Sequence, residues 1–202
     1  MKIIIGVVGQ IASGKGILVN YLTRHFGFAS FSLSLIVHDE LRKRGIRKFS
    51  RQTLQDMGDE LRKKEGNDVL AKRVIERLNQ MQSDRIGSRS SQLNREEKIV
   101  IEGIRNPAEI EFLKKNPNFI LIGVKANRAI RFKRLLARGK QWDPKNWKDF
   151  VKVDRRDLGI GQGKSGQQVE KCFAYCDYVL TNNKDLAGFQ KKIFKLNGVC
   201  HS

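Results

Sequence analysis

The chain has 202 residues, a hydrophobic share of 40% and a net charge of +19, from 40 basic against 21 acidic side chains. That length suits one domain with a real core, and no apolar run reaches the ~18 residues that span a bilayer. Cys172, Cys176 and Cys200 are too few and too oddly spaced for a disulfide framework or a zinc quartet. Together with an N-terminus that reads as a strand rather than a leader, they predict a cytoplasmic protein whose cysteines act as small hydrophobes. The charge is spread along the whole chain. It predicts attraction to polyanions such as nucleotides, RNA or ribosomes, and argues against a separate basic arm.

In chain order, the branched apolar run from Ile3 to Val8 reads as a buried strand. It ends in Gly9, Gln10, Ile11, Ala12, Ser13, Gly14, Lys15, Gly16 and Ile17. A helix pattern follows, with Leu18, Tyr21, Leu22, His25 and Phe26 on one side. Gly9-x-x-x-x-Gly14-Lys15 between strand and helix fits the phosphate-binding P-loop. Its glycines let backbone N–H groups surround an anion, the helix N-terminus adds partial positive charge, and Lys15 supplies a full one. Gly16 departs from the pattern, because a Ser or Thr there would hold Mg²⁺, and Ile17 offers no substitute hydroxyl.

Gly27–Ser32 reads as a short strand and Leu33–Arg44 as a helix closed by Gly45. On that helix Asp39 and Arg42 share a face, so Arg42 is a candidate phosphate clamp; an ordinary surface pair is the plainer reading. Ser50 caps a helix to Glu65 with Leu54, Met57 and Leu61 inward; Gln55, Asp59 and Arg62 lie opposite or beside that stripe, as candidates to read a substrate base or sugar, with solvated surface the plainer reading. A further helix places Leu70, Val74, Leu78 and Met81 inward. Residues 83–97 read as a polar loop without chemistry. Lys98–Gly103 reads as a strand ending in an acid. Ligands collect at the carboxyl ends of parallel strands, so Glu102 is a candidate for holding metal-bound water, with Arg105 at the same mouth.

Residues 118–125 read as a strand and Asn127–Gly139 as a helix carrying Arg131, Arg134 and Arg138 in one arc, with Ala129, Phe132 and Leu136 on a separate core side. Residues 139–168 combine a turn at Trp142-Asp-Pro144, a charged helix with Asp154-Arg155-Arg156-Asp157, and a glycine-bearing run. This reads as a lid that brings Arg155 or Arg156 onto a transferring phosphate and excludes water. A strand at 175–181 and a helix at 185–196 close the chain. Strands alternating with helices predict an α/β fold, a parallel sheet covered by helices on both faces.

Taken together, these segments resemble the nucleoside-monophosphate kinase group of P-loop proteins. His38-Asp39-Glu40-Leu41-Arg42 is similar to the acceptor-binding Gly-Asp-x-Leu-Arg of adenylate kinases, with His38 in place of Gly. Glu102-Gly103-Ile104-Arg105 is similar to their Asp-Gly-x-x-Arg, one residue shorter. The Gly-Lys-Gly form of the loop also resembles theirs. A closer resemblance, over residues 3–195, is to an archaeal and bacterial family related to dephospho-coenzyme-A kinase and adenylate kinase. It is carried by Glu102 to Glu109, by Asp154 to Gly161 and by Asn182. The resemblance implies a five-stranded parallel core in a single domain, an acceptor-binding segment at 33–82, a lid at 139–168, and ATP with Mg²⁺ as donor. The function it implies is phosphoryl transfer to a nucleotide-like acceptor, a nucleoside monophosphate or a dephospho-coenzyme-A-like molecule. Lys15, Arg131, Arg134, Arg155 and Arg156 would be catalytic, Asp39, Arg42 and Arg105 would bind the acceptor, and Glu102 would hold metal through water. The alternative is an ATP-binding module acting on RNA or ribosomes.

Overall fold

The computed structural model describes residues 2–86 and 97–196. Its centre is an all-parallel sheet of five strands in the order β2-β3-β1-β4-β5. These are β1 (Lys2–Gly9), β2 (Ala29–Ser32), β3 (Glu97–Ile104), β4 (Phe119–Lys125) and β5 (Tyr178–Thr181). Alternation along each strand divides the core in two. Ile4, Val8, Ile99, Ile101, Phe119 and Leu121 face one way. They pack against α2 (Leu33–Lys43), α3 (Arg51–Glu65), α4 (Val69–Ile86), α5 (Pro107–Leu113) and α8 (Val169–Cys172). Ile3, Ile5, Val7, Val100, Ile122 and Val124 face α1 (Lys15–Phe26) and α9 (Leu186–Phe194). Burial on both faces is why the strands are continuous apolar runs rather than alternating ones.

From β1 the chain goes first to β2 and β3 on one side, then returns to β4 on the other. The carboxyl end of β1 is therefore the point where the winding reverses, and the P-loop sits there. The β1–β3 ladder slips between Val7 and Val8, with Val7 opposite Glu102 and Val8 opposite Ile104. Gly103, at φ +85°, is the extra residue of this bulge. A side chain there would sit 3.3 Å from the Ser34 amide nitrogen. Bulges re-aim neighbouring side chains, and this one lies between Glu102 and Arg105.

Several expectations need correction. Gln55 and Arg62 are buried, 3% and 2% exposed, rather than solvated. Met81 is exposed, and α4 runs on to Ile86, so the expected loop at 83–97 is helix at its start and strand at Glu97; its middle lies outside the described residues. The last strand begins at Tyr178, because Phe173–Tyr175 form a 3₁₀ turn. Helix α6 (Arg128–Arg138) is turned over relative to its expected facing. Leu136 and Ala129 are exposed, while Arg131 and Leu135 are buried. The cause is a partner on α7 (Trp147–Leu158): Asp154, itself fully buried, pairs with Arg131.

Candidate functional site

The loop between β1 and α1 turns on two left-handed residues, Ala12 (φ 58°) and Gly14 (φ 108°). Gly14 must be glycine for a second reason: a Cβ would lie 2.2 Å from the Asn182 amide nitrogen. Asn182 donates from Nδ2 to the Ser13 carbonyl at 3.0 Å, and Arg131 donates to the Ile11 carbonyl at 3.2 Å. Alternating left-handed turns whose carbonyls are engaged from outside form an anion-binding nest. The Ser13 hydroxyl is buried there with no hydrogen-bond partner among the described residues. These features fit a phosphate chain. Gly16 faces open space, and Ile17 packs against the α1–α9 side of the core, which accounts for an apolar residue at that position.

Lys15 points back along its own loop, donating to the carbonyls of Gly9 at 2.6 Å and Gln10 at 2.9 Å. Burial, reinforced by the Arg105 charge, pushes its pKa down to about 7, against the opposing pull of Asp157 and Glu102. Glu102, at the end of β3, is therefore close enough to act on Lys15. Among the described residues no three His, Cys, Asp or Glu side chains gather as a metal cluster. Mg²⁺ typically keeps several waters and takes one or two carboxylates beside phosphate oxygens, so a single Glu102 fits that habit.

The segment expected to be a lid is folded down on the loop. Asp157 accepts from the Ile11 amide at 3.1 Å and pairs with Arg105. Arg156 pairs with Asp56 and Asp59 on α3 at 2.5 and 2.7 Å, while Arg155 is exposed. Gln55 donates to the Val153 carbonyl and to Gln167. The basic arc of α6 is not aimed at an open cleft. Arg131, 1% exposed, is bound by Asp154, Ala126 and Ile11. Arg134 donates to Asn182 and the Lys184 carbonyl, and Arg138 is held by Asp143 at 2.7 Å.

Arg42 and Arg105 do not share one cavity. Arg105 lines a small pocket of about 40 Å³ with Arg51, Gln55 and Asp157. Arg42, its side chain 67% exposed and paired with Asp39 at 2.9 Å, lines an open groove of about 690 Å³ that also includes Glu102. Ser34 borders both.

Three positioning residues were missed from sequence. Glu109, fully buried, receives Arg62 and accepts from the backbone amides of Arg105 and Asn106. Asn106-x-x-Glu109 is a capping box, so its signal was present. Asp143 and Asp157 had no comparable local signal, because their partners lie on distant elements.

The order of the five parallel strands and the geometry of the loop after β1 match the fold of P-loop kinases. A shikimate kinase from Acinetobacter baumannii, solved in complex with shikimate, aligns with a TM-score of 0.54 at 17% identity, over 97% of this chain and 93% of that one. A shikimate kinase from Bacteroides thetaiotaomicron gives 0.51 at 14% identity, covering 99% of both chains. A gluconokinase from Sinorhizobium meliloti gives 0.50 at 11% identity, over 96% of this chain and 90% of that one. By sequence, a UPF0200 protein of Methanothermobacter thermautotrophicus is 31% identical over 194 residues, 94% of this chain and 86% of that protein. A UPF0200 protein of Pyrococcus horikoshii is 31% identical over 196 residues, 96% of this chain and 95% of that protein. The chain belongs to the UPF0200 family. No family model matches it.

Proposed function

We propose that this protein transfers a phosphoryl group from ATP to a nucleotide-like acceptor, a nucleoside monophosphate or a dephospho-coenzyme-A-like molecule. The observation that carries the reading is the nest of Ala12 and Gly14 with Lys15, at the winding reversal of a sheet shared with small-molecule kinases. Those neighbours favour small-molecule chemistry over the RNA- or ribosome-directed alternative.

Phosphoryl transfer needs positioning and charge neutralisation more than covalent help from the protein. In this reading the loop amides and Lys15 hold the donor. Bound Mg²⁺ would spread the charge of the terminal phosphates, with Glu102 holding it through water. Arg42, paired with Asp39, orients the acceptor from the open groove, and Arg105, which lines the separate pocket, reaches the acceptor phosphate once Asp157 releases it. Arg155 and Arg156 neutralise the transferring group, a contribution of roughly 10³–10⁵ in rate for one well-placed arginine. Arg131 and Arg134 contribute from behind, through the Ile11 carbonyl and Asn182.

The test is ADP release with Mg²⁺–ATP across a panel of nucleoside monophosphates and dephospho-coenzyme A. Acceptor-stimulated turnover that vanishes in Lys15→Ala is the expected result. Turnover with no acceptor, or turnover indifferent to Lys15→Ala, would sink the reading.

A further inference from the structure

We infer that the open groove between α2 and the Lys140–Trp142 segment seats a flat, aromatic ring carrying an anionic group, and that a nucleoside monophosphate rather than a polyol is therefore the acceptor class. The inference rests on the phosphoryl-transfer reading and adds His38, Phe49 and Trp142 to the residues that reading uses. At about 690 Å³ the groove is in the range of small-molecule sites. The smaller pocket beside it, at about 40 Å³, holds little more than water. A charged groove of about 450 Å³ on the other side of α2 has no aromatic residue among those that line it.

Three rings from separate parts of the chain meet in the large groove. His38 of α2 lies edge-on to Phe49 and to Trp142, with centroids 5.1 and 5.2 Å apart, and Phe49 and Trp142 are 5.6 Å apart. The triangle is braced from behind. The Arg51 amide donates to the Trp142 carbonyl at 2.8 Å, and Asp143 is gripped by Arg51 and Arg138. A stacking surface that is fixed before binding loses little entropy when a ring lands on it.

Charge is arranged around the rings. Arg42, Arg47 and Lys140 line the same groove, with Lys140 Nζ 5.4 Å from the Trp142 ring centroid. Burial first, then Arg42, Arg51 and Lys140, push the His38 pKa down, against Asp39, so its imidazole is neutral at pH 7 and offers a ring rather than a further charge. Glu102 lines the same groove and lies close enough to Lys15 to act on its charge. Aromatic wall and cationic rim, with Glu102 between the groove and Lys15's field, match a molecule with a base at one end and a phosphate at the other. A polyol would leave the rings unused.

The experiment uses the full chain with Trp147→Phe, which leaves Trp142 as the single tryptophan. The four ribonucleoside 5′-monophosphates, ribose 5-phosphate and inorganic phosphate are titrated without ATP, reading Trp142 emission and binding heat. At least one nucleotide should quench saturably and bind about tenfold or more tighter than ribose 5-phosphate. Trp142→Leu should weaken it by about five- to hundredfold, the range of one base–aromatic stack. Trp142→Phe should retain most of the affinity, and thermal melts check that each variant folds. His38→Ala provides a second, independent loss. No nucleotide binding, equal binding of ribose 5-phosphate, or folded Trp142→Leu and His38→Ala variants with unchanged affinity would overturn the inference. The two readings separate in a Lys15→Ala background. Nucleotide binding there, with no turnover by the parent protein, keeps the groove and removes the kinase. Turnover insensitive to Trp142→Leu keeps the kinase and removes the groove.

Discussion

Lys15 is a buried amine whose pKa has fallen to about 7, and a phosphate chain would restore its charge. Ligand binds the protonated form, so above pH 7 each binding event must take up a proton, and ATP affinity should fall by up to about tenfold per pH unit. Calorimetry in buffers of different ionisation enthalpy should show that proton uptake, and Lys15→Ala should remove it. Gly16 is not forced to be glycine by its surroundings, since a side chain there meets open space. Gly16→Ser should fold normally and make ATP binding more dependent on Mg²⁺, measured as the ratio of affinities with and without the metal. Arg131 and Asp154 are the opposite case, both buried and each neutralising the other. Removing one partner of such a pair costs about 3–5 kcal/mol, so Arg131→Met alone should lower the denaturant midpoint sharply. Arg131→Met with Asp154→Leu should recover much of the loss.

At the scale of the element, α7 is tied down at both charged ends of its Asp154–Asp157 run. Asp157 occupies the Ile11 amide and Arg105, two groups that an incoming phosphate would also use. A carboxylate there competes with the ligand. Asp157→Asn weakens a charge-assisted contact of the ~1.5–3 kcal/mol kind, so ATP affinity should rise by roughly tenfold and proteolysis within 147–168 should quicken. A fall in affinity would mean that Asp157 supports the bound state instead. The capping box at Asn106–Glu109 belongs to the same mechanics, because it fixes the backbone from which Arg105 reaches Asp157.

Over the whole molecule, a net charge of +19 does not translate into an equally basic open cleft. Arg51, Arg62, Arg105, Arg131, Arg138 and Arg156 are all engaged with acids inside or between elements. Among the described residues no helix is long and apolar enough to cross a membrane. If the P-loop and lid act together on one ligand, ATP should stabilise the entire chain. At 100 times its Kd that is about 2.7 kcal/mol, or roughly 5–10 °C in Tm for a domain of this size. Thermal melts against ATP concentration measure it, and Lys15→Ala should flatten the response.

Strands, caps and the phosphate loop were legible because their causes are local. The apolar run into Gly9 specifies a buried strand, the Gly9–Lys15 spacing specifies a nest, and Ser50, Asp185 and Gly45 punctuate helices through their own backbone preferences. The facing of α6, the burial of Gln55 and Arg62, and the separation of Arg42 from Arg105 were not legible. Each depends on a partner far along the chain: Asp154 for Arg131, Glu109 for Arg62 and Asp157 for Arg105. A charged side chain is read as solvated until its counter-charge is found, and a helical wheel cannot supply one from another element. The sequence by itself determined a strand, a glycine-bearing loop and a helix start with the phosphate-loop spacing at the end of β1. Tertiary structure decided which arginines remain available to act on a phosphate there, because burial of opposite charges is settled only when the elements pack.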